Sequence, residues 1–330
     1  MARLARMLGA LVLLAGLAVA AFWVFAPRER VPGKVTFDPA RLGDDLDAYF
    51  RRAESDVPDL RREVRKRVIW AGVPGARTDL SLLYVHGFSA TSEELRPVPD
   101  RVASELGANL VFTRLAGHGQ GGAALAEARL VDWMRDMAEG LAAARAAGDE
   151  VVVMATSTGA TLATLAAADP ALMARVRGLI LVSPNFAVNN PRASLLTWPG
   201  ARWWLPIVAG RSRGFEPLNE DHARYWTTEY PTEAVLPMAA LVAHVRAMDH
   251  AALEVPALFW FSESDQVVRA EVTREVAQAW GGPVTLHPVR PGPEDDPMAH
   301  VLAGDILSPG QTEAAVAGMT GWIRRITGRE

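Results

Sequence analysis

Ser157 sits where a hydroxyl could serve as a nucleophile. The segment Val151-Val152-Val153-Met154-Ala155-Thr156-Ser157-Thr158-Gly159-Ala160 reads as a buried strand, a tight turn of small residues and an immediate helix start, with Ser157 at the tip. A serine in such a turn is more often a plain helix cap. To attack an acyl carbon it needs an imidazole to take its proton and a carboxylate to orient that imidazole. Carboxylates of the right kind follow the apolar run Ala257-Leu258-Phe259-Trp260-Phe261, where Ser262-Glu263-Ser264-Asp265 offers Asp265, or Glu263 two residues earlier. For the imidazole, His300 in Met298-Ala299-His300-Val301-Leu302 lies after the last apolar run, whereas His287 falls inside a strand pattern. A further apolar run, Leu82-Leu83-Tyr84-Val85, ends in His86-Gly87-Phe88-Ser89, and His86 reads as a loop brace.

These residues need a frame that brings strand ends together. After Arg67, short apolar runs alternate with helical patterns, the signature of a mainly parallel sheet flanked by helices. Expected strands are 68–72, 81–85, 109–113, 150–155, 178–182, 257–261 and 284–289, and expected helices are 92–106, 130–147, 160–168, 269–279 and 312–327. The stretch from about 187 to 253 breaks this rhythm. It is rich in Trp and Pro, offers no clean buried strand, and reads as a cap inserted over the carboxyl edge of the sheet.

With its serine elbow, its strand ending in His-Gly and the order Ser157, Asp265, His300, the sequence resembles an α/β-hydrolase of the monoacylglycerol lipase and serine aminopeptidase-like group. Gly117-His118-Gly119 and Asp132-Trp133-Met134-Arg135-Asp136 match the same group. The departures are Ala155 where glycine is usual, Ser262 where glycine is common, and Gln120-Gly121 where a serine often follows Gly-His-Gly. The resemblance, covering Val68 to the C-terminus, implies the catalytic set Ser157, Asp265 and His300. It also implies an oxyanion hole from the backbone N–H groups of Phe88 and Thr158. The implied activity is hydrolysis of carboxylic acyl esters, of lipid or small-alcohol type, through an acyl-enzyme. Peptide or amide cleavage, acyl transfer, and a non-catalytic binding role on the same scaffold are the alternatives.

The remaining readings concern place and partners. From Met7 to Pro27 no residue is charged, and Arg3 and Arg6 precede the run. That span is long enough to cross a hydrocarbon core of about 30 Å as a helix, with the body on the exported side. Phe22-Trp23-Val24-Phe25 continues the apolar run past the small residues Ala18-Val19-Ala20, which favours an uncleaved anchor. The alternative is a signal cleaved near Ala20 and a secreted body. The organisation read from the chain is an anchor over 1–30, a juxtamembrane helical segment over 31–67 with a solvated face, and the hydrolase domain over 68–330.

With 330 residues and 50% hydrophobic composition, the chain has ample material for a core, and a net charge of −4 argues against a nucleic-acid partner. No cysteine is present, which excludes disulfides, thiolate metal sites and a cysteine nucleophile. No metal-ligating pattern or nucleotide motif occurs, so neither a metal nor another cofactor is expected. In the insertion, Trp203 and Trp226 are the candidate substrate contacts; aromatics so spaced also suit a small cap core.

Overall fold

The computed structural model describes residues 2–329. Its helices are α1 (Ala2–Phe25), α2 (Leu46–Ala53), α3 (Val98–Glu105), α4 (Gly122–Glu127), α5 (Leu130–Ala147), α6 (Thr158–Ala167), α7 (Ala201–Ala209), α8 (Glu220–Tyr225), α9 (Leu236–Arg246), α10 (Ala270–Ala279) and α11 (Thr312–Thr327). The strands are β1 (Arg67–Ile69), β2 (Thr78–Val85), β3 (Asn109–Phe112), β4 (Gly148–Thr156), β5 (Val176–Val182), β6 (Ser212–Gly214), β7 (Glu229–Pro231), β8 (Ala257–Phe261) and β9 (Val284–Pro288).

Seven strands form one sheet in the order β1-β3-β2-β4-β5-β8-β9, parallel throughout except for β1, which runs antiparallel to β3. The strands are apolar on both faces because helices cover both. Leu83 and Val85 of β2, with Val151, Val153 and Ala155 of β4, pack under α5, α6 and α9. Their alternates Leu82, Tyr84, Val152 and Met154 face α3 and α11. This is an α/β-hydrolase fold. Its parallel strands end on one edge of the sheet, and Ser157 and Asp265 follow the ends of β4 and β8 there.

The expected helix 92–106 is two pieces, a 3₁₀ turn (Ser92–Glu94) and α3. Pro97 stands between them, and a residue preceding proline is disfavoured in the helical region. In the helical segment expected over 31–67 the one α-helix is α2, with 3₁₀ turns at Pro39–Leu42 and Arg62–Val64, and Pro58 and Asp59 (φ 52°) lie between helical pieces. Arg51, Arg52, Asp56, Asp59, Arg62 and Glu63 of this arm are exposed, while its apolar side is covered. Leu42, Leu46, Tyr49 and Phe50 join the core under α5. Glu54 pairs with Arg114 at 2.7 Å, both buried, and Lys66 bridges Asp136 at 2.6 Å and Glu139. Such pairs become costly when one partner is removed.

The insertion contains α7, α8 and a small antiparallel hairpin of β6 and β7, which sequence reasoning did not separate from loop. It closes with α9, whose Leu241 and Val245 return to the main core. At the other end, Arg3–Phe25 of α1 is long and apolar enough to cross a membrane, with mean hydropathy 2.5 and none of it buried. The end of α1 meets the insertion: Trp23 packs edge-on to Trp198 at 5.4 Å, and the Gly200 N–H donates to Pro27 O at 2.7 Å.

Candidate active site

Ser157 alone makes the turn from β4 into α6. Its backbone sits at φ 51°, ψ −115°, a region costing a non-glycine residue roughly 1–3 kcal/mol. The surrounding bonds hold it there. Its N–H donates to Val182 O at 2.8 Å, and its carbonyl accepts from the N–H groups of Thr161 (3.1 Å) and Asn185 (3.2 Å). Two residues on, a Cβ at Gly159 would stand 2.5 Å from the carbonyl oxygens of both Val85 and His86, so only glycine fits. Ala155 is different. It lies in regular ladder register between Val85 and Leu181, and its methyl joins the core, so the usual glycine is dispensable at this position.

The structure brings Ser157, His300 and Asp265 into one hydrogen-bonded line. His300 Nε2 is 3.0 Å from Ser157 Oγ, and His300 Nδ1 is 2.8 Å from Asp265 Oδ2. The other Asp265 oxygen accepts the N–H groups of Val267 (2.8 Å) and Val268 (2.9 Å), which fixes the carboxylate. A carboxylate can only accept, so it places the proton on Nδ1 and leaves Nε2 to accept from the serine hydroxyl. Burial opposes the imidazolium, but Asp265, by charge and hydrogen bond, together with Glu94 and Asp296, raises the His300 pKa above its ordinary value. A hydroxyl, imidazole and carboxylate so arranged can activate the oxygen and later return its proton. The runners-up lie elsewhere: Glu263 is exposed and paired with Arg274, and the ring of His287 stacks on Trp260 at 3.8 Å.

The loop carrying His300 is held by residues that sequence reasoning missed. Asp296 Oδ2 accepts the N–H groups of His300 (3.0 Å) and Val301 (2.8 Å), Asp296 Oδ1 accepts that of Met298 (3.0 Å), and Ser183 Oγ donates to His300 O at 2.6 Å. Asp295-Asp296 in a Pro-rich loop gave no signal beyond turn chemistry.

Facing Ser157 is the turn after β2. Leu115 N–H donates to His86 Nε2 at 3.1 Å, which puts the ring proton on Nδ1 to donate to Gly87 O at 2.8 Å. Burial lowers the His86 pKa to about 4, so the ring is a neutral brace, as read from the sequence. Phe88 and Thr158 both line the cavity beside Ser157, and among the described residues neither backbone N–H has a hydrogen-bond acceptor. A second missed residue, Glu94, is buried at the same turn. Its Oε2 accepts the Gly87 N–H at 2.7 Å and the Tyr84 hydroxyl at 3.2 Å. Burial pushes its pKa up to about 7, against the pull of those donors and of His300. Its sequence context, Thr91-Ser92-Glu93-Glu94, reads as an ordinary helix start.

Ser157 opens into a cavity of about 510 Å³ with walls that include Phe88, Val188, Phe215, Tyr230 and Met238. Trp203 and Trp226 are not among the lining residues. Trp203 is 58% exposed on the outer side of α7. Trp226 is buried one layer behind the wall, its ring 4.8 Å from that of His222, which does line the cavity. The Trp signal did not say which residues of the insertion face inward.

The model of the serine aminopeptidase family (S33) matches residues 76–288, about two thirds of the chain. The chain belongs to that family. The match includes Ser157 and Asp265 and stops short of His300. No curated protein matches the sequence. Similar solved structures of this α/β-hydrolase fold include a metagenome-derived lipolytic enzyme from a study of LipS and LipT, at 17% identity and TM-score 0.65, covering 81% of this chain and 99% of that one. Another is a monoacylglycerol lipase from Paleococcus ferrophilus, at 13% identity and TM-score 0.59, covering 79% and 98%. A third is a soluble variant of monoglyceride lipase from Saccharomyces cerevisiae with a substrate analogue, at 13% identity and TM-score 0.57, covering 82% and 95%.

Proposed function

We propose that this S33-family hydrolase cleaves carboxylic acyl esters, of lipid or small-alcohol type, by a Ser-His-Asp mechanism. The observation that carries the reading is the line Ser157–His300–Asp265 opening into a largely apolar cavity. Ser157 Oγ attacks the acyl carbon while His300 Nε2 takes its proton, and Asp265 stabilises the imidazolium that forms. Charge moves to the former carbonyl oxygen, where the free amides of Phe88 and Thr158 receive it. His300 then protonates the leaving alcohol, and water repeats the sequence on the acyl-enzyme.

The apolar walls, and the lipolytic and monoacylglycerol lipase names of the similar structures, support esters with a hydrocarbon acyl chain. The family's own description favours the second reading, cleavage of an amide at a peptide N-terminus. In the first reading, residues 1–30 anchor the body to a membrane with the site on the exported side, cleavage near Ala20 being the alternative. Residues 31–67 form an arm packed on the 68–330 domain, and residues 187–253 form its cap.

The test uses the full chain. A fluorophosphonate should label it, and Ser157→Ala should abolish labelling. A panel of p-nitrophenyl esters against aminoacyl p-nitroanilides separates the two reactions. Ester turnover should rise by a factor of a few per added methylene, at about 0.8 kcal/mol each, to an optimum beyond acetate. Turnover of the anilides alone would overturn the ester reading, and no Ser157-dependent labelling would overturn both.

A further inference from the structure

Apart from the histidines, the residues lining the cavity that can carry charge are the carboxylates Glu94, Glu216 and Asp296, with no Lys or Arg, and burial keeps the Tyr230 phenol neutral. Asp296 is spent on three backbone amides of the His300 loop. Glu94 is not spent in that way. Its Oε2 is engaged, but Oε1 lies 2.8 Å from where a Gly87 Cβ would stand, and that same point is 3.2 Å from Ser157 Cβ. Gly87 therefore packs directly between the carboxyl group and Ser157, with no room for a side chain there, and both residues line the same cavity.

Resting on the ester-hydrolase reading, we infer that the site takes uncharged acyl esters and rejects those bearing an anion near the scissile carbonyl, with Glu94 as the residue that enforces the choice. A substrate carboxylate or phosphate entering this cavity loses water, meets no Lys or Arg, and faces a fixed acidic group across a short, poorly screened distance. The carboxylate product of each turnover meets the same field, which favours its departure.

The selection carries its own pH signature. Glu94 is faced by Tyr84 from β2 and by His300, with Asp265 and Asp296 beyond that ring. Its neighbour Glu93 pairs with Arg67 and Arg96. His222 also lines the cavity and is held toward its neutral form by burial. Glu94 therefore gains its charge near neutral pH, while a substrate carboxylate is already ionised. Ionisation of His300 affects both kinds of ester and cancels in their ratio.

The experiment compares p-nitrophenyl pentanoate with mono-p-nitrophenyl glutarate, whose acyl chain ends in a carboxylate, using the full chain. The pentanoate-to-glutarate ratio of kcat/KM should be about tenfold or more larger at about pH 8.5 than at about pH 5.5. Glu94→Gln should remove that pH dependence, whereas Glu216→Gln at the exposed mouth should change the ratio less than about threefold. A wild-type ratio that does not vary with pH, or a pH dependence that survives Glu94→Gln, would overturn the inference while leaving ester hydrolysis intact. Failure to turn over pentanoate at all would overturn the ester reading and this inference together.

Discussion

One carboxylate oxygen of Asp296 accepts the backbone N–H of His300 at 3.0 Å and that of Val301 at 2.8 Å. The imidazole is thus aimed from two sides: Asp265 sets the ring and Asp296 sets the main chain that carries it.

Asp296→Ala should lower kcat on ester substrates by roughly a hundredfold with little change in KM, since a misplacement of about 1 Å is enough for such a loss. The variant should also lose about 2–4 kcal/mol of stability, because the buried amides of His300 and Val301 are left without an acceptor. Urea melts beside steady-state kinetics would check this. A kcat unchanged in a destabilised protein would show that the loop holds its shape without Asp296.

The raised His300 pKa sets the direction of the pH–rate profile. The base must be neutral to work, so kcat/KM should fall on the acid side with a midpoint above the ordinary histidine value of about 6.5. Asp265→Asn should move that midpoint down and lower the rate by about 10³–10⁴-fold. Glu263→Gln should do neither, because its carboxylate lies at the surface against Arg274. If the two variants behaved the other way round, the assignment of the acid would be wrong.

Glu94 ties stability to pH. Its folded-state pKa of about 7 lies above the ordinary glutamate value, so the folded chain holds a proton that the unfolded chain has released. Its contribution therefore weakens as pH rises from about 4.5 to about 7, by of order 1–3 kcal/mol. Above that range Glu94→Gln should be more stable than the wild type by a similar amount, and below about pH 4.5 the two should be close. Denaturant midpoints across the range would check it, and parallel curves would show that Glu94 does not titrate there.

The elbow makes a contrasting pair of substitutions. Gly159→Ala drives a methyl into the carbonyl oxygens of Val85, the last residue of β2, and His86 in the turn after it, at 2.5 Å, and should cost about 3 kcal/mol or more. Ala155→Gly, which creates the more usual motif, should cost about 1 kcal/mol through backbone freedom and a lost core methyl. Thermal melts of the two variants would test whether close packing sits two residues after the serine rather than two before it.

Much of this site is legible in the chain because parallel strands announce themselves as apolar runs and their ends gather on one edge. The run Ala257–Phe261 matches β8 residue for residue, and the helices 130–147 and 312–327 match α5 and α11. Ser157, Asp265 and His300 each stand out by position relative to such runs. What stayed hidden acts through tertiary partners. Glu94 is an ordinary acidic residue until burial places it under Gly87. Asp296 is one loop carboxylate among several until it gathers three amides. The partners that dock the arm around α2 were not legible, because Glu54, Tyr49 and Lys66 pair with residues on distant elements, Arg114, Glu139 and Asp136. Trp203 and Trp226 were misplaced because periodicity in a short insertion does not say which side faces in.

Only Ala26 stands between the last residue of α1 and Pro27, whose carbonyl is pinned by the Gly200 N–H. There is no slack in that joint. Whatever surroundings grip the apolar helix also dictate the heading of the cap, so the joint behaves as a bracket rather than a leash. An anchor holding α1 as proposed would therefore also set the heading of the mouth above Ser157.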